Sequence, residues 1–295
     1  MLTAFIILII ALSALVVYAY FIETRRFRAT CVRMKAARNF GGKLKILHIS
    51  DFHFKKGDEA KLAFLRNLHS TPVDMVVVAG DMIEADSGIS YCVEALRGFR
   101  ASVGVFAVFG AHDRWDTRFW NVVLDLSIGG YRRGQPNDFD RLKCELEKIG
   151  VVCLENESRR ITLPESLGAE EMWMVGVGDL FAGLGDFRKA LEGVPHASFR
   201  ILITHAIEHP EQMAAYKFDA VFAGHSHGGQ VRLPFVGALY TRSSLHRSFA
   251  SGMFEIAGTP FHINNGIGAG RWTEFRFLCP PEATYVELSG ERSES

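Results

Sequence analysis

The sequence predicts a layered α/β domain that follows one N-terminal transmembrane helix. Three observations predict this fold class. Short apolar runs typical of strands alternate with stretches whose apolar residues recur at helical spacing. A run without any charged residue occupies positions 2–22. Of the 295 residues, 48% are hydrophobic and 22% are charged, a balance that supplies a large core and excludes wholesale disorder.

The first element is the apolar run at residues 2–22. As a helix it would span about 32 Å, which matches the hydrocarbon core of a bilayer. Tyr18 and Tyr20 lie near its end, where an aromatic belt is expected. A cleaved signal peptide is the alternative, but no basic segment precedes the run and it is long for a signal sequence. We therefore assign residues 1–22 as a transmembrane anchor.

A basic stretch follows the apolar run. Residues 23–45 carry eight basic side chains and one acidic side chain, whereas residues 46–295 carry seven more acidic than basic side chains. We assign residues 23–43 as a basic juxtamembrane linker and residues 44–290 as the folded domain. The positive-inside rule then predicts a single-pass membrane protein whose C-terminal domain lies in the cytoplasm.

Overall composition excludes two other classes. The net charge is zero, which argues against a general nucleic-acid-binding protein, so no nucleic-acid partner is expected. The five cysteines have no paired spacing, which argues against a disulfide framework and against a zinc–cysteine site.

The remaining elements alternate along the chain. Apolar runs predict strands at 44–50, 75–79, 103–109, 151–154, 172–177, 200–204 and 219–223. Helical spacing predicts helices at 58–69, 89–99 and 137–149. Beyond residue 230 the chain is glycine-rich and β-like. Residues 116–136 are predicted to form an inserted surface loop or lid.

Polar motifs follow five of these strands at their carboxyl ends. They are residues 50–53, 80–81, 110–113, 204–205 and 224–229. Ligands of open α/β sheets collect at this edge, so the motifs are expected to deliver aspartates and histidines to one site. Histidine and carboxylate without cysteine suits Mn²⁺, Fe or Zn rather than Ca²⁺. Asp81 is the natural candidate to bridge two ions.

Along the chain the motifs occur in the order D-x-H, G-D, G-x-H-D, a single histidine and G-H-x-H. This order resembles the signature of the calcineurin-like metallophosphoesterases. The resemblance covers residues 44–288 and is strongest to a membrane-anchored bacterial subgroup. Shared stretches include residues 154–158, the GHSHGGQ segment and residues 265–282. It implies an α/β/β/α sandwich and a hydrolase of phosphoester or pyrophosphate bonds. A phosphorylated small molecule or lipid would be the substrate, with UDP-2,3-diacylglucosamine as a candidate.

The resemblance also implies residue roles. Two divalent metal ions, with manganese favoured, would be held by Asp51, His53, Asp81, His205, His225 and His227. His112, supported by Asp113, would act in proton transfer. Ala111 departs from the family pattern, which has asparagine there, and so removes one expected ligand of the second metal. Asn264 and Asn265 are conceivable replacements.

Three functions from different classes stay open. The first is a membrane-bound hydrolase of a lipid-linked phosphoester or pyrophosphate. The second is an extracytoplasmic phosphodiesterase, if the apolar run is an export signal. The third is a metal-binding regulatory protein that Ala111 has weakened as a catalyst.

Several polar and aromatic residues also have structural interpretations. His48 is interpreted as a sheet histidine, and Glu84 and Asp86 as helix-start acids. Asp179 either supports the site from behind its ligands or is a loop residue. The aromatic residues Trp115, Phe119 and Trp120 fit either the core or a lipid-facing lip.

Overall fold

Two six-stranded sheets form the centre of the domain. The computed structural model describes residues 1–128, 131–167, 171–241 and 243–290. Within these ranges the strands are β1 (Arg28–Lys35), β2 (Lys43–Ile49), β3 (Val73–Ala79), β4 (Ala101–Val108), β5 (Trp115–Asp116), β6 (Gln135–Pro136), β7 (Val151–Cys153), β8 (Glu157–Thr162), β9 (Glu171–Val177), β10 (Phe199–Thr204), β11 (Ala220–Ala223), β12 (Arg232–Leu233), β13 (Gly237–Ala238), β14 (Gly252–Ile256), β15 (Thr259–Ile263) and β16 (Glu282–Ser289).

The α-helices of the same ranges surround these sheets or precede them. They are α1 (Leu2–Val17), α2 (Glu59–Leu68), α3 (Ile89–Arg97), α4 (Ala111–Arg114), α5 (Phe119–Ile128), α6 (Phe139–Lys148), α7 (Phe187–Ala190) and α8 (Pro210–Ala214).

The first sheet has the strand order β1-β16-β2-β3-β4-β7, and the second has the order β14-β15-β11-β10-β9-β8. Side chains of both sheets share one core between them. A second core joins the first sheet to α2, α3 and α6, and a third joins the second sheet to α7 and α8. The layers therefore follow the predicted α/β/β/α order.

Central strands are apolar throughout because both of their faces are buried. In β3, Met75 and Val77 point into the core between the sheets, whereas Val76 and Val78 point toward the helices. This alternation follows from the two-residue period of a strand. The parallel pairing of β2, β3 and β4 then brings their carboxyl ends to one edge of the sheet.

The predicted strands and helices of residues 44–223 are present, together with further elements that the sequence analysis missed, among them β8 and α5. Strand β8 is an edge strand whose arginines face solvent, so its apolar alternation is weak. Residues 116–136, expected as a loop or lid, contain helix α5, and the β5–β6 ribbon closes the base of this insertion.

The expectation that residues 23–43 form a linker is wrong where this range contains strand β1 (Arg28–Lys35). This strand pairs in parallel with β16 and is an edge strand of the first sheet. Met34 is buried and Val32 is half-buried, whereas the alternate residues Arg33 and Lys35 are exposed, so this part of the strand is apolar on one face only. Its high content of basic residues concealed that pattern in the sequence.

The N-terminal segment is one helix from Leu2 to Arg25, with α1 followed by a turn of π-helix and a turn of 3₁₀-helix. It is long and apolar enough to cross a membrane, with a mean hydropathy of 2.8. Its C-terminal end packs against the domain. The backbone N–H of Arg276 donates to the carbonyl of Ala19 over 3.0 Å, so the helix joins the domain through a direct contact.

Candidate metal centre

The loops that follow β2 and β3 are fastened to each other by backbone hydrogen bonds. The N–H of Asp51 donates to the carbonyl of Gly80 over 2.9 Å, and the N–H of His53 donates to the carbonyl of Asp81 over 3.0 Å. The D-x-H and G-D motifs are therefore neighbours. From the second sheet, the N–H of His225 donates to the carboxylate of Asp51 over 3.1 Å.

Backbone strain is concentrated in these motifs. Five of the six predicted metal ligands have a positive φ: Asp51 (52°), His53 (45°), Asp81 (50°), His225 (69°) and His227 (49°). Non-glycine residues rarely occupy this left-handed region, and such strain persists where the surrounding structure enforces it, often at functional sites.

Two glycines permit the close packing of this edge. A Cβ atom on Gly110 would lie 2.1 Å from Oδ1 of Asp81, and one on Gly224 would lie 2.4 Å from Oδ2 of Asp51. Any larger side chain at these positions would displace the carboxylates. The glycines that precede the motifs are therefore a steric requirement of the site.

The motif side chains form three overlapping groups. Within each group, the potential ligand atoms lie within 4.8 Å of one another. The groups are Asp51, His53 and His227; His53, Asp81 and His112; and Asp51, Asp81 and His205. His53 and both aspartates each belong to two groups. Shared carboxylates between neighbouring groups suit a pair of cations held close together.

His53 and His205 have the orientation expected of metal ligands. Nδ1 of His53 lies 2.8 Å from Oε2 of Glu84, and Nδ1 of His205 lies 2.8 Å from the carbonyl of Ala79. In both residues Nε2 is buried and faces Oδ2 of Asp81, at 3.7 Å for His53 and 3.1 Å for His205. Partners on Nδ1 leave the Nε2 lone pair for a cation, so the donor set fits a divalent metal.

His225 is placed less directly. It is absent from the three ligand groups found among the described residues, although its ring centroid lies 5.1 Å from that of His205. Its assignment as a ligand therefore stays a prediction, whereas His112, predicted as a catalytic residue, lies within a ligand group.

Charge pairing dominates the electrostatics of the cluster. Burial alone would raise the pKa of the Asp81 carboxyl, but His205, His112 and His53 outweigh it and hold that pKa well below its usual range. Burial likewise opposes the charged form of His205, yet Asp81 and Asp179 raise its pKa well above the ordinary value. Cations and protons therefore compete for the same buried side chains.

A family model agrees with this geometry. Residues 44–229 match the model described as "Calcineurin-like phosphoesterase". The chain belongs to this family. The matched range includes every motif that contributes to the cluster, from Asp51 to Gly229. The calcineurin-like phosphoesterase is thus an α/β/β/α metallophosphoesterase, and phosphoester or phosphoanhydride hydrolysis is its reaction class.

Relatives of this phosphoesterase carry names of the same reaction class. "Uncharacterized metallophosphoesterase YkoQ" of Bacillus subtilis is 26% identical over 250 residues, which cover 83% of this chain and 84% of the relative. "Phosphodiesterase YaeI" of Escherichia coli is 25% identical over 277 residues and 92% of each chain. "UDP-2,3-diacylglucosamine pyrophosphatase LpxG" of Chlamydia muridarum is 27% identical over 280 residues, which cover 81% of this chain and 82% of the relative.

Glu84 is a residue of the phosphoesterase site that the sequence analysis missed. It was interpreted as a helix-start acid, but it is buried, and its Oε2 lies 2.8 Å from Nδ1 of His53 and 3.2 Å from Nδ1 of His112. Burial would raise its pKa, yet His112 and His53 lower it below the ordinary value. Its position three residues after Asp81, within an apolar stretch, was the available signal.

Asp113 fastens the loop after β3 to the loop that precedes α4. Its carboxylate accepts hydrogen bonds from the backbone N–H groups of Met82, Ile83 and Gly110 over 2.7–3.0 Å. The side chain is fully buried. These bonds hold the loop after β3 against the start of α4, so Asp113 positions the loop that carries Asp81, and its support of His112 stays a prediction.

Asn264 does not supply the side-chain amide that is missing at Ala111. That side chain donates to Thr284 and to the carbonyl of His48, and it accepts from the N–H of Gly266, so it is used within the fold. Asn265 packs its side-chain oxygen against Gly228. The backbone N–H of Ala111 itself donates to Asp179 over 3.0 Å.

A cavity of about 320 Å³ opens over the cluster. Its polar lining, here called the floor, includes His53, Asp81, Glu84, His112, His225 and His227. Its apolar and aromatic lining, here called the wall, includes Val122, Tyr131, Phe181, Val231, Leu239, Tyr240, Trp272 and Phe275. The cavity therefore offers both groups that suit a metal-bound phosphate and groups that suit an apolar substituent.

Proposed function

We propose that this phosphoesterase hydrolyses a phosphoester or pyrophosphate bond of a lipid-linked substrate at a membrane. The observation that carries the proposal is that one cavity is lined both by Asp81, Glu84 and histidines of the cluster and by an apolar wall. A phosphate group would meet the floor, and the lipid portion would meet the wall. The apolar helix that ends beside the cavity would hold the enzyme at the source of such substrates.

UDP-2,3-diacylglucosamine is the specific candidate. A relative named as its pyrophosphatase is 27% identical and aligns over 81% of this chain. The molecule combines a charged pyrophosphate with two acyl chains, and this combination matches the floor and the wall of the cavity. Hydrolysis of its phosphoanhydride bond would release UMP and leave the second phosphate on the acylated sugar.

Asp51, His53, Asp81, His205, His225 and His227 would hold two divalent ions, with manganese favoured. When bound, these ions would supply the positive charge that activates water and stabilises the phosphoryl oxygens. Asp51 and Asp81 would keep both ions within one cluster, because each belongs to two ligand groups.

His112 would provide the proton that the leaving oxygen needs. It lines the cavity, and its Nδ1 lies 3.2 Å from Oε2 of Glu84. The carboxylate of Glu84 would orient the ring and leave Nε2 to donate to the leaving group. The backbone N–H of His112 also donates to Oδ1 of Asp81 over 2.8 Å, so the proton donor is connected to a metal ligand.

The proposed location is the cytoplasmic side of the membrane. The segment after the apolar helix contains Arg25, Arg26 and Arg28, and basic residues next to a membrane span favour the cytoplasmic face. A reporter tag at the C-terminus tests this orientation. It should resist a membrane-impermeant reagent in intact cells, and labelling without permeabilisation would instead favour the extracytoplasmic phosphodiesterase.

A hydrolysis assay with the full chain in mixed micelles tests the substrate. With Mn²⁺, the protein should release UMP from UDP-2,3-diacylglucosamine and should also cleave bis(p-nitrophenyl) phosphate. Cleavage of the chromogenic diester without UMP release would reject this substrate. Metal binding without hydrolysis of either compound, or of any phosphorylated lipid in a membrane extract, would favour the regulatory protein that Ala111 makes conceivable.

A further inference from the structure

Exposed apolar side chains are concentrated around the mouth of the cavity. Beyond residue 22, the described residues include twelve large hydrophobic side chains that are exposed. Ten of these lie on three segments: helix α5, residues 231–240 and residues 271–278. We call these ten side chains the apolar rim; they are Phe119, Trp120, Leu124, Leu233, Phe235, Val236, Leu239, Tyr240, Trp272 and Leu278. Clustering of this kind marks an interaction surface.

Direct contacts join the three segments into one surface. Nε1 of Trp272 donates to the carbonyl of Thr117 over 2.8 Å, and the ring of Trp272 lies 5.6 Å from that of Phe119. The N–H of Arg232 donates to the carbonyl of Phe277 over 2.9 Å. Leu239, Tyr240 and Trp272 belong both to the rim and to the cavity lining, so the rim borders the site itself.

The same surface is continuous with the end of the N-terminal helix. The ring of Tyr18 lies 6.2 Å from that of Phe277, and the ring of Tyr20 lies 6.0 Å from that of Phe275. Phe277 pairs with the start of the 231–240 segment, and Phe275 lines the cavity. The apolar helix therefore leaves the domain next to the rim.

We infer that the apolar rim inserts into the lipid bilayer that the N-terminal helix crosses, and that it holds the cavity mouth at the membrane surface. The inference rests on the proposed function, because it requires that helix to lie in a membrane. The contact between the rim and the N-terminal helix favours a lipid bilayer as the partner of the rim, because a helix that crosses a membrane would hold the rim within reach of lipid. Phe235, at the tip of the β12–β13 hairpin, is fully exposed. Aromatic and aliphatic side chains of this kind are typical of interfacial insertion.

Such insertion would give the phosphoesterase access to lipids without their leaving the bilayer. A lipid-linked phosphate would enter between the rim segments, with its acyl chains in the membrane and its phosphate over the metal ligands. The surface would thus select substrates by their location as well as by their chemistry.

Depth measurement on the full chain in phospholipid vesicles tests the inference. Cys31 and Cys144, the exposed cysteines, are replaced by serine, and one spin label is placed at Phe235→Cys, Ile9→Cys or Ser90→Cys. The label at position 235 should collide preferentially with oxygen, as should the label at position 9 in α1. The label at position 90, an exposed position of α3, should collide preferentially with an aqueous nickel chelate.

The three labels separate failure of the inference from failure of the proposed function. If the label at position 235 is exposed to water while the label at position 9 is exposed to lipid, insertion of the rim is wrong and membrane anchoring by the N-terminal helix is retained. An aqueous label at position 9 would overturn the anchor, and the inference with it.

A kinetic comparison provides a second test. Phe235→Asp combined with Val236→Asp should lower hydrolysis of a vesicle-embedded substrate about tenfold or more, because charged residues do not enter the interface. Hydrolysis of bis(p-nitrophenyl) phosphate should stay within about twofold, since these residues do not contact the metal ligands. Met253→Asp, at an exposed apolar residue outside the rim, is the matched control and should change neither rate. Equal losses on both substrates, or no loss on vesicles, would overturn the inference.

Discussion

Oε2 of Glu84 lies 2.8 Å from Nδ1 of His53, and both side chains are buried. A carboxylate in this position fixes the imidazole with its proton on Nδ1 and directs the Nε2 lone pair toward the metal ligands. The pair therefore connects a residue outside the recognised motifs to the ligand set.

Replacement of Glu84 tests this connection. Glu84→Gln should lower metal affinity about 10- to 100-fold, because the uncharged amide no longer holds His53 in its ligand orientation. Isothermal titration with Mn²⁺ measures the change. Asp86→Asn, an exposed acid on the same loop, is the matched control and should bind metal normally. Equal affinity of Glu84→Gln and the parent protein would contradict a positioning role.

The close approach of Gly110 to Asp81 makes a steric prediction. Gly110→Ala should lower metal affinity by about tenfold or more, because the new methyl group would overlap Oδ1 of Asp81 and force the carboxylate to move. Gly270→Ala, at a glycine that lines the cavity, is the control, since its Cβ would meet no atom closer than 3.6 Å. Metal titration of both variants checks the prediction, and similar affinities would argue against it.

Ala111 makes a prediction of gain rather than loss. Ala111→Asn should raise occupancy of the second metal, because it adds an amide oxygen at a position that lines the cavity. Elemental analysis of the purified protein after dialysis against limiting Mn²⁺ measures the stoichiometry. An unchanged metal content would show that the missing amide does not limit the second site.

Acid should destabilise the fold through His48 and His262. Their Nδ1 atoms lie 2.7 Å apart, both rings are buried, and burial lowers the pKa of His262 to about 4. The unfolded chain therefore binds a proton first as the pH falls below the unfolded value of about 6.5. The stability contributed by neutral His262 is present above that pH and is lost progressively toward pH 4.

Denaturant titrations at pH 7.5 and pH 5 measure this loss. His262→Phe should lose less free energy of unfolding between the two pH values than the parent does, by about 2 kcal/mol. His246→Phe, at an exposed histidine, should behave like the parent. Identical pH dependence of His262→Phe and the parent would contradict the assignment.

The clustering of the motif residues could be predicted from the sequence because their chemistry is local. A strand that ends in Asp51 and His53, or in Gly80 and Asp81, exposes its ligands at the edge where parallel strands end. The layer order followed from the same strands and the resemblance they carry.

The contacts of Glu84, Asp113 and β1 could not be predicted from the sequence because they depend on long-range packing. Glu84 gains its role from His53, 31 positions earlier, and Asp113 from the backbone of the preceding motif. Strand β1 gains its place from β16, at the opposite end of the chain. No local pattern encodes contacts of this kind.

Asp81 provides the most direct test of the metal centre, because its carboxylate belongs to two of the ligand groups and lies 3.1 Å from Nε2 of His205. Metal content and Mn²⁺-dependent hydrolysis of bis(p-nitrophenyl) phosphate are measured on Asp81→Ala and on Asp140→Ala, an exposed acid that serves as control. We expect Asp81→Ala to lose bound metal and activity together, while the control keeps both. Full hydrolysis by metal-free Asp81→Ala would contradict the proposed metal-dependent reaction.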